Sequence, residues 1–96
     1  MSPKERKQLK ILRKKLDILD NSFIKLLKKR SRLVDKVLKL KKYRNQIVDK
    51  KRINIILKNI KRKSINKQID VKLTRMIWSG MIKSYINFER RKFRKK

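Results

Sequence analysis

An arginine at position 30 interrupts a regular series of apolar residues in the first half of the chain. Arg30 is the only charged residue in register with the series, and a guanidinium that leaves water needs an anion nearby. None of its helical neighbours three and four positions away is acidic. An anionic ligand is therefore a candidate for the missing partner. The series advances by threes and fours, as on a helix packed against partners, through Leu9, Leu12, Leu16, Leu19, Phe23, Leu26, Leu33, Val37 and Leu40.

Two further cations have spacings that could bring them to the same anion. Lys41 follows Arg30 by 11 residues, or three helical turns, so both project from similar faces about 16 Å apart and could hold one small dianion. Arg13 precedes Arg30 by 17 residues, about 25 Å along a helix, which is too far for a shared site within one helix. Arg13 could instead enter the site of a partner in an antiparallel dimer. Taken singly, each of these cations is an ordinary surface residue.

Composition excludes several kinds of chemistry. The 96 residues include no Cys and no His, which rules out thiol chemistry, disulfides, zinc sites and proton transfer by histidine. A hydrophobic content of 39% supports one small folded domain over residues 1–96. No segment resembles a signal peptide or could span a membrane, so we expect a cytoplasmic protein without a membrane partner.

The net charge of +27 arises from 34 Lys and Arg against 7 Asp and Glu. Such an excess is typical of nucleic-acid binders, but AT-rich coding DNA would also favour Lys, Ile and Asn. No zinc pattern, glycine-rich loop or strip of stacking aromatic residues is present. Charge alone gives nonspecific affinity, so specific nucleic-acid recognition is not predicted. A basic helical protein that binds polyanions remains an alternative.

The pattern predicts an all-α fold with one long and two shorter helices, over residues of about 4–43, 49–63 and 70–92. Almost nothing breaks these helices, because Pro3 and Gly80 are the only residues of their types. Asp49 and Asp70 are each placed to cap a helix N-terminus. Residues 64–69 are predicted to form the second loop.

The length of the first helix predicts an assembly. About 40 helical residues form a rod of roughly 60 Å, whereas a compact monomer of this size would be only about 30 to 35 Å across. Much of the apolar series would then contact water. We therefore predict an intertwined helical homodimer in which a second copy covers it; a kink in the helix is the alternative, although no Pro or Gly is present to cause one.

Five segments together resemble the all-helical chorismate mutases of the AroQ class. Two arginines 17 residues apart and a lysine 11 further on recur in register with the loop and the second helix. The resemblance covers roughly residues 8 to 92. In that family, three helices per chain intertwine into a dimer with two sites, which agrees with the geometry expected above. The segments are residues 12–20, 27–30, 39–41, 47–52 and 82–89.

The resemblance implies a reaction and roles for the charged residues. Chorismate mutases convert chorismate to prephenate by a Claisen rearrangement on the route to phenylalanine and tyrosine, with no metal or cofactor. The enzyme holds a flexible dianion in its reactive shape and stabilises charge on the ether oxygen. By resemblance, Arg30 and Arg13 of the partner subunit bind the two carboxylates, and Lys41 contacts a carboxylate and the ether oxygen. Asp49 meets the ring hydroxyl and Arg52 supports the same wall, although Asp49 could also be a plain helix cap.

Three positions of the site depart from the usual pattern of the family. Ile53 stands where a glutamate usually binds the ring hydroxyl, and Tyr85 where a small polar residue is common. Glu89 replaces the glutamine that donates to the ether oxygen, and a carboxyl can donate only when protonated. The related isochorismate-pyruvate lyases, which form salicylate, resemble this chain at Ile53 and Tyr85. Mutase activity is the preferred prediction, and lyase activity in the same pocket is the alternative.

Overall fold

The computed structural model describes residues 1–94, which form three α-helices and one short 3-10 helix and include no β-strand. The helices are α1 (Pro3–Leu40), α2 (Lys50–Asn66) and α3 (Val71–Lys92), and the 3-10 turn spans Arg44–Gln46. The predicted all-α architecture with one long and two shorter helices is therefore confirmed. None of the helices in the described part of the chain is both long enough and apolar enough to cross a membrane.

The chain divides by its internal contacts into two units. The first unit is Met1–Asp35, and the second begins at Lys36. The first unit contains most of helix α1 and no other helix, and its apolar side chains remain in contact with solvent: Leu16 is 59% exposed and Phe23 is 62% exposed. The intertwined homodimer that would cover them stays a prediction.

The beginning of α1 is stabilised by a capping box at Ser2 and Glu5. The Glu5 backbone N–H donates to Ser2 Oγ at 3.2 Å, and the Ser2 N–H donates to Glu5 Oε1 at 3.1 Å. The hydrogen bond that the Glu5 carboxylate accepts from the Ser2 backbone, and after it one from the Ser2 side chain, lower the pKa of Glu5. Pro3 occupies the first helical position, where its missing N–H costs nothing.

The two aspartates predicted to cap helices do so. Asp49 Oδ1 accepts a hydrogen bond from the Arg52 N–H at 3.0 Å at the start of α2. Asp70 Oδ1 accepts from the Leu73 N–H at 2.8 Å at the start of α3. Each carboxylate thus satisfies an N–H that has no partner inside its helix.

Two predicted helix boundaries differ from the structure. Helix α1 ends at Leu40 and not near Tyr43, because the Lys41 N–H donates back to the Leu38 carbonyl and the chain then enters the 3-10 turn. Lys41 therefore lies just beyond the helix on which its position had been predicted. Helix α2 continues to Asn66, so Ser64 is helical and is not part of the loop.

The end of α2 is stabilised by a Schellman motif without glycine. The Ile69 N–H donates to the Ser64 carbonyl at 2.9 Å and the Gln68 N–H donates to the Ile65 carbonyl at 3.2 Å. Gln68 takes the left-handed conformation, with φ of 57°, that glycine usually supplies. Because a residue with a Cβ adopts this conformation at a cost of about 1 kcal/mol, the motif has no glycine signal in the sequence.

The second unit contains a small apolar cluster and one buried polar contact. Leu38, Ile47 and Phe93 are buried together, and Ile86 packs against them. Elsewhere, α2 and α3 pack against each other, and the hydroxyls of Ser64 and Thr74 lie 2.7 Å apart between them. The apolar cluster joins the end of α1, the loop after it and the end of α3, and these are the segments that carry Lys41 and Glu89.

Candidate active site

Lys41 and Glu89 form a direct ion pair in the second unit. Lys41 Nζ lies 3.1 Å from Glu89 Oε1, and the side chains are only 19% and 9% exposed. Lys41 Nζ also approaches the Ile47 carbonyl oxygen at 3.5 Å. Two of the three ammonium donors are thus directed at groups of the described chain, and the third is available to another acceptor. Lys41 and Glu89, which were predicted to belong to one site, are therefore in contact.

The loop that carries Lys41 is ordered by hydrogen bonds to Gln46. Gln46 Oε1 accepts from the backbone N–H groups of Lys42 at 2.7 Å and of Tyr43 at 2.9 Å. These two donors follow the end of α1 and would otherwise need water. Ile47, directly after Gln46, is 4% exposed and belongs to the apolar cluster. The hydrogen bonds to Gln46 and the burial of Ile47 therefore fix the path of the loop that follows Lys41.

Asp49, Arg52 and Ile53 lie at the N-terminus of α2. Asp49 uses one carboxylate oxygen as the helix cap, so the cap role considered from sequence is present. The side chain of Arg52 is exposed and that of Ile53 is half-buried. Within residues 1–94, no side-chain hydrogen bond or ion pair joins Asp49 to Lys41 or Glu89. A ligand role for these three residues stays a prediction.

Tyr85 lies on α3 one turn before Glu89. Its ring meets the ring of Phe88 edge to face, with centroids 6.0 Å apart and an interplanar angle of 84°. The side chain is half-buried and also makes a further interaction. A bulky aromatic group therefore stands on the same helix as Glu89 and adds an apolar surface to it.

Arg13 and Arg30 belong to the first unit. Arg13 is exposed, and Arg30 is half-buried. Arg30 takes part in an interaction within the chain, so the argument from a missing partner does not hold for the folded monomer. A role for Arg30 at a substrate carboxylate stays a prediction.

A groove of about 310 Å³ lies between α2 and the first turns of α3. Its walls include three cations, Lys58, Lys61 and Arg75, and the buried Thr74. None of the predicted site residues lines this groove. It is a gap beside the Ser64–Thr74 contact and is separate from the Lys41–Glu89 pair.

Exposed cations dominate the surfaces of α2 and α3. Every Lys and Arg from Lys50 to Lys83 is exposed. The only carboxylate in that stretch, Asp70, is engaged as a helix cap. The unbalanced positive charge raises the local concentration of small anions, an effect that added salt weakens.

Three residues near the Lys41–Glu89 pair, in the loop after α1 and at the end of α3, were not predicted from sequence: Arg44, Gln46 and Phe93. Arg44 Nη1 donates to the Arg90 carbonyl at 3.2 Å, and its guanidinium lies 5.3 Å from the centre of the Phe93 ring. Phe93 is 6% exposed. The only sequence signal was a lone aromatic residue inside the basic C-terminal run, because partners so far apart in the chain leave no periodic pattern.

Residues 12–90 match the family described as chorismate mutase type II. The matched range contains Arg13 and Arg30 as well as the Lys41–Glu89 pair. The chain belongs to the chorismate mutase type II family. No curated protein and no solved structure matches it.

Membership in the chorismate mutase type II family confirms the resemblance stated from sequence. The all-helical architecture agrees with it, and the family's activity implies a small-molecule substrate. The Lys41–Glu89 contact lies within the matched range, so the segments of the family pattern at residues 39–41 and 82–89 meet in the structure.

Proposed function

We propose that this chain is a chorismate mutase that converts chorismate to prephenate on the route to phenylalanine and tyrosine. The observation that carries the proposal is the pairing of Lys41 with Glu89 inside a chain that matches the family over residues 12–90. The rearrangement needs no nucleophile, and its barrier falls when cations and hydrogen-bond donors hold the dianion in its reactive shape.

The Lys41–Glu89 pair supports different roles for the two residues, one in binding a carboxylate and the other in donating to the ether oxygen. While Glu89 is ionised it accepts from Lys41 and cannot donate to an ether oxygen. A substrate that takes the Lys41 ammonium would leave a buried carboxylate without its partner, which is costly unless the carboxylate gains a proton. Glu89 in the protonated form would then be the donor to the ether oxygen, while Lys41 binds the substrate carboxylate.

The arginines of the first unit would complete the site in a homodimer. Arg30 would bind one carboxylate, and Arg13 of the partner subunit would bind the other. Support comes from the exposed apolar series on α1, since Leu19, Phe23 and Leu26 are each more than half exposed in the single chain. A second copy that buries them would also bring a second Arg13 into the assembly.

Isochorismate-pyruvate lyase activity is a second candidate, favoured by the residues at positions 53 and 85. Ile53 is half-buried and Tyr85 presents an aromatic ring beside Phe88. Ile53 cannot make the polar contact to a ring hydroxyl that the usual glutamate of the mutases provides. The two activities use the same pocket, so only turnover distinguishes them.

The deciding experiment is to incubate the purified protein separately with chorismate and with isochorismate and to quantify prephenate, salicylate and pyruvate. We expect kcat/KM for prephenate formation to exceed that for pyruvate release. Faster release of pyruvate and salicylate would identify a lyase instead. The Ile53→Glu variant sharpens the comparison, because restoring the usual glutamate should raise mutase turnover relative to lyase turnover.

The remaining alternative is a basic polyanion-binding protein without enzymatic activity. It predicts that Arg30→Ala lowers the affinity for a polyanion no more than removal of any exposed lysine does. The mutase proposal predicts loss of turnover from that substitution alone, with the oligomeric state unchanged. Turnover of neither substrate by the wild-type protein would favour the polyanion-binding alternative.

A further inference from the structure

In the loop that follows α1, the side chain of Arg44 contacts the end of α3. Its Nη1 donates to the carbonyl oxygen of Arg90 at 3.2 Å. That carbonyl is one of the last four of α3, which have no acceptor role inside the helix. The hydrogen bond therefore gives a donor to a helix-end carbonyl one residue beyond Glu89. Because the donor is charged, this hydrogen bond is stronger than one between neutral groups.

The same guanidinium lies over the ring of Phe93, 5.3 Å from its centre. Phe93 is 6% exposed and is buried with Leu38 and Ile47. Its N–H donates to the Glu89 carbonyl at 2.8 Å, so it also ends the helix. Arg44 thus contacts a residue that is itself bonded to the backbone of Glu89.

The other end of the ion pair is held by the same loop. Lys41 precedes Arg44 by three residues, and Gln46 Oε1 accepts from the N–H groups of Lys42 and Tyr43 between them. Ile47 offers its carbonyl to Lys41 and its side chain to Phe93. The loop that orients Lys41 is therefore the loop that Arg44 attaches to the end of α3.

We propose that Arg44 is a positioning residue that holds Glu89 in register with Lys41 through the Arg90 carbonyl and the Phe93 ring. Arg44 touches neither substrate nor reacting atoms; it acts by fixing the last turn of α3 against the loop. The inference rests on the proposed function, because the position of Glu89 matters for turnover only if Glu89 takes part in it.

The first test is a double-mutant cycle on kcat/KM with chorismate. Arg44→Ala should lower kcat/KM on the order of 10-fold, since small misplacements of a catalytic group have effects of this size. In the Glu89→Met background, the same substitution should cost less than about 2-fold, because the group being positioned is gone. An equal loss in both backgrounds would mean that Arg44 only stabilises the fold, and no loss in either would also overturn the proposal.

Two further variants control for charge and for chemistry. Lys42→Ala removes an exposed cation from the same loop without touching α3, and its activity should equal that of the wild type. Arg44→Lys keeps a cation near the ring and the carbonyl but lacks the planar guanidinium that contacts both, so it should recover part of the loss. A loss for Lys42→Ala as large as that for Arg44→Ala would reduce the effect to net charge and overturn the proposal.

Amide hydrogen exchange tests the attachment without any substrate. In the wild-type protein the Phe93 N–H is bonded to Glu89, and Arg44→Ala should accelerate its exchange at least several-fold while Lys42→Ala does not. An unchanged rate would contradict the attachment itself. If the rate changes but the wild type turns over neither chorismate nor isochorismate, the attachment stands and the proposed function, with the catalytic role given to Arg44, fails.

Discussion

The first and second units differ in how far their apolar side chains are buried. In Met1–Asp35 most apolar side chains are exposed, with Leu19 at 56% and Leu26 at 60%. From Lys36 onward, Ile47 is 4% and Phe93 6% exposed, and no buried side-chain nitrogen or oxygen in the described residues lacks a partner. Within the single chain the first unit therefore leaves its apolar surface uncovered, whereas the second buries a small apolar cluster of its own.

The contrast is incomplete, because several apolar side chains of the second unit are exposed as well, among them three on α3. Leu73, Met76 and Ile77, in the first half of that helix, are each about half exposed or more. Apolar side chains of this size gain roughly 1.5 to 3 kcal/mol when fully buried. The surface available to a second copy is thus not confined to α1, and the Lys41–Glu89 end of α3 is the self-contained part.

The largest expected effect is the loss of turnover in Arg30→Ala. Removing one preorganised cation from an anion site typically costs about 1000-fold or somewhat less in rate. Chorismate turnover and sedimentation should show this loss in a protein that is still dimeric. Lys28→Ala, an exposed cation on the same helix, serves as the control and should keep full activity.

Mixing the variants tests whether the first unit contributes to its partner's site. Arg13→Ala should be as inactive as Arg30→Ala, but a heterodimer of the two carries one site with both arginines. With random exchange of subunits, half of the dimers are mixed and activity should recover to about a quarter of the wild-type value. No recovery, once mixed dimers are demonstrated, would contradict the shared site.

The next effect in size concerns association through the first unit. Leu19→Lys places a charge on the apolar series in both copies, so the dissociation constant of the dimer should rise about 100-fold or more. Ile18→Lys is the matched control, because Ile18 is similarly exposed, at 64% against 56% for Leu19, but lies outside the series. Sedimentation over a range of concentrations would measure both, and equal weakening by both variants would contradict an interface formed by the series.

A smaller effect, on pH dependence, isolates the second unit. If protonated Glu89 is the donor, kcat/KM should fall as pH rises, by up to about 10-fold per pH unit where Glu89 is mainly ionised. Glu89→Gln donates at every pH, so its profile between about pH 5 and 8 should be flat. Ionisation of the substrate is common to both proteins and cancels in their ratio. Identical profiles would exclude Glu89 as the titrating donor.

The sequence predicted the helices, both aspartate caps and the family, because these depend on local patterns. Period and caps located α1, α2 and α3 to within a few residues. The end of α2 was not predicted correctly, because the left-handed residue that follows it is Gln68. A glycine at that position would have marked the end of the helix in the sequence. The contacts of Arg44 with Arg90 and Phe93 depend on how distant segments pack, which no local pattern records.

For the candidate site, the sequence predicted the member residues better than it predicted their contacts. Lys41 and Glu89 were both named from sequence as members of one site, and their ion pair brings them together. Their direct contact was not predicted, since in the family pattern each faces the substrate. For Arg30 the apolar series correctly marked a half-buried cation. The chain itself supplies an interaction for it, which a one-helix view could not reveal.

The smallest expected effect is on stability, at the buried contact between α2 and α3. Ser64→Ala should lower the free energy of unfolding by only about 1 kcal/mol, because Thr74 Oγ1 keeps the Val71 carbonyl at 3.2 Å as a partner. The double variant Ser64→Ala with Thr74→Val should cost less than the sum of the single variants, since neither hydroxyl is then left alone. Ser84→Ala is the control: its hydroxyl bonds the Gly80 carbonyl on an exposed surface and should contribute almost nothing. Urea unfolding at one fixed protein concentration measures all four, because dimerisation would otherwise add to the apparent stability. A larger loss for Ser84→Ala than for Ser64→Ala would mean that the second unit is not held together by its own buried contacts.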